Sequence, residues 1–248
     1  MDMVMFRSVA MAALMAMMVS ACGGDLVPRG RVARASKPVR AAPVPTVDTR
    51  QCFAKLQAQS VAFTPLPDRT FGGGCSALNS VKLLDIGVPA TNLGAMTCTL
   101  AANFAAWARY GVQPAARAVL GAEIVRIDTF GTYNCRPIAG SAKLSEHAHS
   151  NAIDIAAFVL DDGRRITVEQ GWSGDRKTQQ FLKIVHASAC KRFNTVLSPD
   201  YNAAHRDHLH FDMGGKGGFC RCGANMRKHI RQSSKALAMS SAPLKSLR

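Results

Sequence analysis

Five of the seven histidines fall in two short windows. One is Ser145-Glu146-His147-Ala148-His149-Ser150-Asn151-Ala152-Ile153-Asp154; the other is His205-Arg206-Asp207-His208-Leu209-His210-Phe211-Asp212. Read as a strand, the second window alternates, because successive side chains point to opposite faces. His208, His210 and Asp212 share one face, and the apolar Leu209, Phe211 and Met213 share the other. That is the pattern of a strand with one side in a core and one side on a polar site. Two imidazoles and a carboxylate form a proven zinc set, and catalytic zinc uses three protein ligands plus a water. Imidazoles of the two windows, together with Asp154, are therefore candidate ligands of a Zn2+ ion. Such an ion acidifies water to a pKa of about 7, and a nearby group must then carry the proton. Asp207 or His208, two or three residues before His210, could supply it. A single histidine is more often a surface residue or a hydrogen-bonded one, and His149, His186 and His229 are read that way.

The elements that must position these residues are legible in the surrounding pattern. Thr49 to Ser60 has helical spacing, Asn92 to Gly111 reads as a buried helix, and Pro114 to Leu120 continues as another. Glu123 to Phe130 alternates as a strand, and Ala152 to Leu160 is a second, with Ala152 and Ala156 leaving room around Asp154. Asp162-Gly163 gives the turn of a hairpin into Arg165 to Glu169. Asp175 is placed to cap a helix running to about Phe193, with Phe181, Ile184, Val185 and Ala189 on one side. Thr195 to Leu197 and Leu209 to Met213 are short strands. Hairpin-joined strands with helices gathered before and between them predict an α+β domain with a small, mainly antiparallel sheet.

The ends of the chain speak to its location. Val9 to Ala21 is an apolar run too short to cross a bilayer but suited to a signal peptide. It ends in Val19-Ser20-Ala21-Cys22-Gly23, small residues before a cysteine, which resembles the lipobox of a lipoprotein. Residues 1–21 are thus expected as a leader, and Cys22 as the lipidated residue holding the protein on a membrane facing the periplasm. Gly23, by resemblance to enteric lipoproteins, points to the outer membrane. Residues 22–47 read as a basic, Pro-rich tether, 48–225 as the folded domain, and 226–248 as a disordered basic tail. In an exported chain the remaining cysteines are read as a disulfide framework. Cys52, Cys75, Cys98, Cys135, Cys190 and Cys220 are the candidates for three bridges, with one of Cys220 and Cys222 left over and the pairing open. No CxxC spacing occurs, which argues against a cysteine-built metal knuckle.

Lys and Arg number 31 against 16 Asp and Glu, a net charge of +15, so polyanions are favoured neighbours. Nucleic acid is an unfavoured one: the basic residues gather in tether and tail, not in a patch interleaved with aromatics. Anionic wall polymer fits the compartment better, and a monomer is expected.

These segments carry a family resemblance. Ser145, His147, Ala152 and Asp154, followed by Asp207-His208-Leu209-His210, resemble the pattern of the LAS metallopeptidases, which are zinc D-alanyl-D-alanine carboxypeptidases and murein endopeptidases. The stretch from Cys52 to Cys220 more closely resembles the bacterial extensin-like C-terminal domain. The matching segments are Leu66-Pro67-Asp68, Gly73-Gly74-Cys75, Thr97-Cys98, Thr132 to Pro137, Ser145 to Phe158 and His205 to Asp212. By position the resemblance implies three zinc ligands (His147, Asp154, His210), an acid/base neighbourhood at Asp207 or His208, and His205 as the first histidine of a His-x2-His-x-His variant. It further implies a substrate- or oxyanion-contacting Arg136 beside Tyr133, and a supporting Ser145. The implied activity is hydrolysis of D-Ala-type peptide bonds in peptidoglycan, by a metallopeptidase; a wall-binding lipoprotein with a structural zinc is the alternative. Endopeptidase and carboxypeptidase action are both left open. Two departures stand out. Ser150 replaces a glycine, which matters if the backbone there has positive φ. Asn134-Cys135 is inserted between Tyr133 and Arg136.

Overall fold

The structure, a computed structural model, describes residues 47–215 and 218–220. The expected leader, Cys22, the tether to residue 46, Cys222 and the tail lie outside the described residues. Among the described residues no helix is long and apolar enough to cross a membrane.

The first helix, α1 (Val47–Ala58), leads into short strands β1 (Ala62–Pro65), β2 (Arg69–Thr70), β3 (Ser76–Ala77), β4 (Ser80–Asp85) and β5 (Met96–Thr97). These make a three-stranded sheet ordered β1-β4-β5 and a two-stranded ribbon β2-β3, neither of which was expected. The helix expected to begin at Asn92 begins instead at Cys98, as α2 (Cys98–Trp107). Asn92 is held at φ 57°, a left-handed conformation that no helix contains. The Thr97 side chain accepts from the Leu100 N–H, an N-cap that starts the helix there. A π-turn over Ala108–Val112 joins α2 to α3 (Gln113–Leu120). Gly111 lies in that turn because a β-carbon there would sit 2.6 Å from the Ser188 hydroxyl.

The second half builds the main sheet. Its strands are β6 (Ile124–Gly131), β7 (Ala152–Leu160), β8 (Arg165–Thr167), β9 (Thr195–Leu197), β10 (Leu209–Asp212) and β11 (Phe219–Cys220). Their order is β11-β9-β10-β7-β6, with β8 on β7, and every pairing is antiparallel except β11 with β9. The architecture is α+β with a mainly antiparallel sheet, as the pattern predicts. The hairpin strand expected to reach Glu169 stops at Thr167, whose hydroxyl accepts from the Gln170 N–H and starts the short helix α4 (Val168–Gly171). Asp175 caps α5 (Arg176–Ala189), accepting from the Lys177 and Thr178 N–H groups; this helix ends four residues before the expected Phe193.

Trp107, Phe104, Phe158, Phe181 and Phe211 are fully buried where α2 and α5 meet the sheet. The Trp107 ring meets Phe211 edge-on at 5.0 Å, and its N–H donates to the Val185 carbonyl at 2.9 Å. Each large side chain so buried stabilises the fold by about 1.5–3 kcal/mol. Three disulfides, Cys52–Cys98, Cys75–Cys135 and Cys190–Cys220, tie α1 to α2, the β3 segment to the loop after β6, and α5 to β11.

Candidate metal centre

Residues Leu209 and Phe211 of β10 are fully buried, so the pleat turns His210 and Asp212 the other way. In the antiparallel register His210 lies directly opposite Asp154 of β7. Cross-strand partners share a face, so register alone brings imidazole and carboxylate together. His147 arrives from a 3₁₀ turn, Glu146–His149, that precedes β7; the Ser145 hydroxyl accepts from the His147 N–H and caps it. The turn exits through Ser150 at φ 55°, so the position where a glycine is expected does need a left-handed residue. The Ser150 hydroxyl is buried with no hydrogen-bond partner.

Three side chains converge, with one nitrogen from each histidine and both carboxylate oxygens of Asp154. His147 Nε2 lies 3.1 Å from Asp154 Oδ2 and 3.2 Å from His210 Nδ1, and His210 Nδ1 lies 2.8 Å from Asp154 Oδ1. The outward nitrogens are also engaged. His147 Nδ1 faces the Thr132 carbonyl at 3.2 Å, and His210 Nε2 faces Asp212 at 2.9 Å. Both of those partners only accept, so each outward nitrogen carries the hydrogen. In the neutral rings, His147 Nε2 and His210 Nδ1 are then bare lone pairs turned towards one another and towards Asp154. All three residues are at most 8% exposed. Three buried lone-pair donors facing one point call for a cation between them.

A small tetrahedral cation bound at about 2.0–2.1 Å sets its ligand atoms about 3.3 Å apart. The 3.2 Å between His147 Nε2 and His210 Nδ1 is close to that edge, and a carboxylate oxygen of Asp154 lies within 3.1 Å of each nitrogen. The outer contacts would suit a bound metal ion, since a ligating histidine commonly passes its other N–H to a carboxylate or carbonyl. Without a cation a proton fills the role. Burial opposes charge on His210, but the hydrogen bonds to Asp154 and Asp212 outweigh it and push the imidazole up to about 9. Burial likewise opposes ionisation of Asp154, yet hydrogen bonds from His147 and His210 hold its carboxyl far below the usual range.

Next to the cluster, His208 Nε2 lies 3.6 Å from Asp154 Oδ1, and its Nδ1 is held by Asp207 Oδ1 at 2.9 Å. The two candidates for proton transfer thus form one pair. Asp207 orients the ring, and His208 faces the centre with its edge against the Phe130 ring, the centroids 5.8 Å apart. The His205 ring packs 5.1 Å from His208 and 5.8 Å from His210, its Nδ1 on Asn202 Oδ1 at 2.7 Å. Burial, followed by the charges of His208, His210 and Arg136 against the opposing pull of Asp154, brings His205 down to about 4. Arg136 is exposed, on a loop pinned through Cys135 to Cys75. The Tyr133 ring packs on Phe71 at 5.3 Å and lines a cavity of about 590 Å³ with Phe130 and Thr132. His149 is satisfied by the Ser76 hydroxyl at 3.1 Å. His186 is the correction: fully buried, with neither ring nitrogen hydrogen-bonded, it is neither a surface residue nor a satisfied one.

Two groups that hold the histidine rings, Asp212 and the Thr132 carbonyl, carry no signal of that role in the sequence. Alternation puts Asp212 on the face of His210, but its contact with the ring depends on which way that ring turns. The Thr132 carbonyl carries no side-chain signal; only the pairing of Gly131 with Asp154 delivers it to His147.

No curated protein and no solved structure matches the chain. A family model described as the extensin-like protein C-terminus matches residues 50–222. The match takes in every residue of the cluster, of its outer contacts and of the three disulfides, so the centre belongs to the matched unit itself: this chain is a member of the extensin-like C-terminal family.

Proposed function

We propose that the protein is a zinc-dependent hydrolase of peptide bonds in peptidoglycan, of the D-Ala type, related in its chemistry to the LAS metallopeptidases. The observation that carries this is the juxtaposition of a three-donor cation centre with the Asp207–His208 pair. A purely structural centre needs no proton carrier; a hydrolytic one does.

His147, Asp154 and His210 would hold the zinc, which supplies Lewis-acid polarisation of a carbonyl and acidification of water. The chain's own residues do the rest. Asp212 and the Thr132 carbonyl fix the two imidazoles with their lone pairs inward. Asp207 holds the proton on His208 Nδ1, which leaves Nε2 free to take a proton from the attacking water and pass it to the departing amine. His205, uncharged at neutral pH, adds no repulsion to a cation next to it. Arg136 brings positive charge to this side of the centre, where negative charge develops on the carbonyl oxygen. The cavity beside Phe130 and Tyr133 gives an extended substrate somewhere to lie.

The exposure of Arg136 on its inserted loop favours a second reading, a wall-binding lipoprotein whose zinc is structural. One experiment separates them. Full-length chain, disulfides formed and zinc loaded, is incubated with purified muropeptides and followed by mass spectrometry beside the Asp207→Ala/His208→Ala variant. The hydrolase reading predicts cleavage by the unaltered chain and a loss of at least about a hundredfold in the variant at unchanged zinc content. Zinc retained without cleavage of any muropeptide would leave the binding module standing.

A further inference from the structure

The end of α5 carries a second convergence of ligand atoms. His186, Cys190 and Cys220 offer a nitrogen and two sulfurs within 4.8 Å of one another. His186 and Cys190 are four residues apart along a helical path and so lie on one face. Cys220 is brought to them by β11, which runs parallel to β9. In the disulfide-bonded chain the two sulfurs are joined to each other. His186 is then left with two buried ring nitrogens and no hydrogen-bond partner. The Trp172 ring stands nearly perpendicular at 5.7 Å and can receive at most one imidazole N–H, weakly. The other nitrogen is a buried lone pair. Such orphans are rare in folded proteins and call for an explanation.

We propose that reduction of the Cys190–Cys220 disulfide turns this spot into a site for a thiophilic divalent cation, with one His186 ring nitrogen and the two sulfurs as ligands. A dithiol reductant supplies two electrons and two protons. The S–S bond breaks, two thiols form, and the reductant leaves as its own disulfide. Cation binding then displaces the two thiol protons, giving two thiolates and one neutral imidazole around a divalent ion, a set without net charge. Both cysteines are half-exposed, so water can reach a fourth position. The site is independent of the first centre, shares no residue with it, and binds nothing while the disulfide stands.

Cobalt distinguishes the two centres, because the first contains no sulfur. The full-length chain is treated with a dithiol until mass mapping of alkylated cysteines shows Cys190 and Cys220 as thiols, and is then titrated with Co2+. The proposal predicts a near-ultraviolet thiolate-to-cobalt charge-transfer band that is absent before reduction. His186→Phe should weaken the cobalt affinity behind that band by about a hundredfold. No band with both thiols free, an unchanged midpoint in His186→Phe, or a band that survives Cys190→Ser would each overturn it. Should His186→Phe fold poorly, the unaltered reduced chain still decides. Cobalt should protect Cys190 and Cys220 from alkylation and leave open whichever of Cys52, Cys75, Cys98 and Cys135 the dithiol has also reduced. Labelling of Cys190 and Cys220 as fast with cobalt as without it would overturn the proposal.

Discussion

Asp212 shows how much of the centre rests on a group outside the ligand set. Its Oδ2 takes the His210 Nε2 hydrogen at 2.9 Å, and its Oδ1 accepts from the Gly214 N–H at 2.8 Å. Asp212→Asn keeps the shape but removes the charge, so the His210 ring loses both its fixed orientation and part of its basicity. Zinc affinity, measured by competition with a chromophoric chelator, should fall by about 10–100-fold. Ser150 is a second residue whose backbone decides its worth. It stands at φ 55° with a buried, unpartnered hydroxyl. Glycine adopts that conformation freely and has no hydroxyl to bury. Against this stands the larger entropy of glycine in the unfolded chain. Ser150→Gly should therefore stabilise the domain by about 1 kcal/mol in urea denaturation, with the zinc content unchanged. At this scale His210 was legible from residue type and strand alternation, while His147, on a 3₁₀ turn, and Asp154, on a strand buried nearly throughout, were marked as its partners by the family resemblance. The Thr132 carbonyl and the pairing of Asp207 with His208 were not, since both depend on where a ring turns after the loops have closed.

The helix α5 is the element most exposed to acid. Its His186 is fully buried, and burial, reinforced by the Lys183 charge, brings the imidazole down to about 4 from an ordinary 6.5. The unfolded chain takes up a proton at the ordinary value while the folded chain refuses it. The domain therefore keeps its full stability above about pH 6.5 and loses it as pH falls through about 4, by on the order of 3 kcal/mol. His186→Phe removes this group, so the variant should lose clearly less stability across that window in chemical denaturation at stepped pH, with the remainder due to His205, which is also brought down to about 4. An identical acid loss in the variant would count against this account. Element by element, β6, β7, β9, β10 and α5 were readable from period and capping, because buried faces and Asp175 enforce the pattern. The strands β1 to β5 were not. Four of the five are only two to four residues long, too short for alternation to mark them.

For the whole molecule, the +15 charge fits the expected partner, an anionic wall polymer, and the membrane side on which the leader would place it. Charge-driven attraction is screened over about 8 Å at physiological salt and over about 3 Å at 1 M. Co-sedimentation of the full-length chain with purified peptidoglycan should thus weaken severalfold between low and high salt, and truncation after residue 225 should reduce it at low salt. Binding indifferent to salt would instead place recognition in the cavity beside Tyr133.

Metal content tests the central claim most directly. The full-length chain, stripped with a chelator under non-reducing conditions and re-exposed to an excess of zinc, is desalted and measured by elemental analysis beside His210→Ala. The converging lone pairs of His147, Asp154 and His210 predict one zinc per chain in the unaltered protein and a large loss in the variant. No zinc retained by the unaltered chain, or equal zinc in both, would contradict the centre and with it the hydrolase.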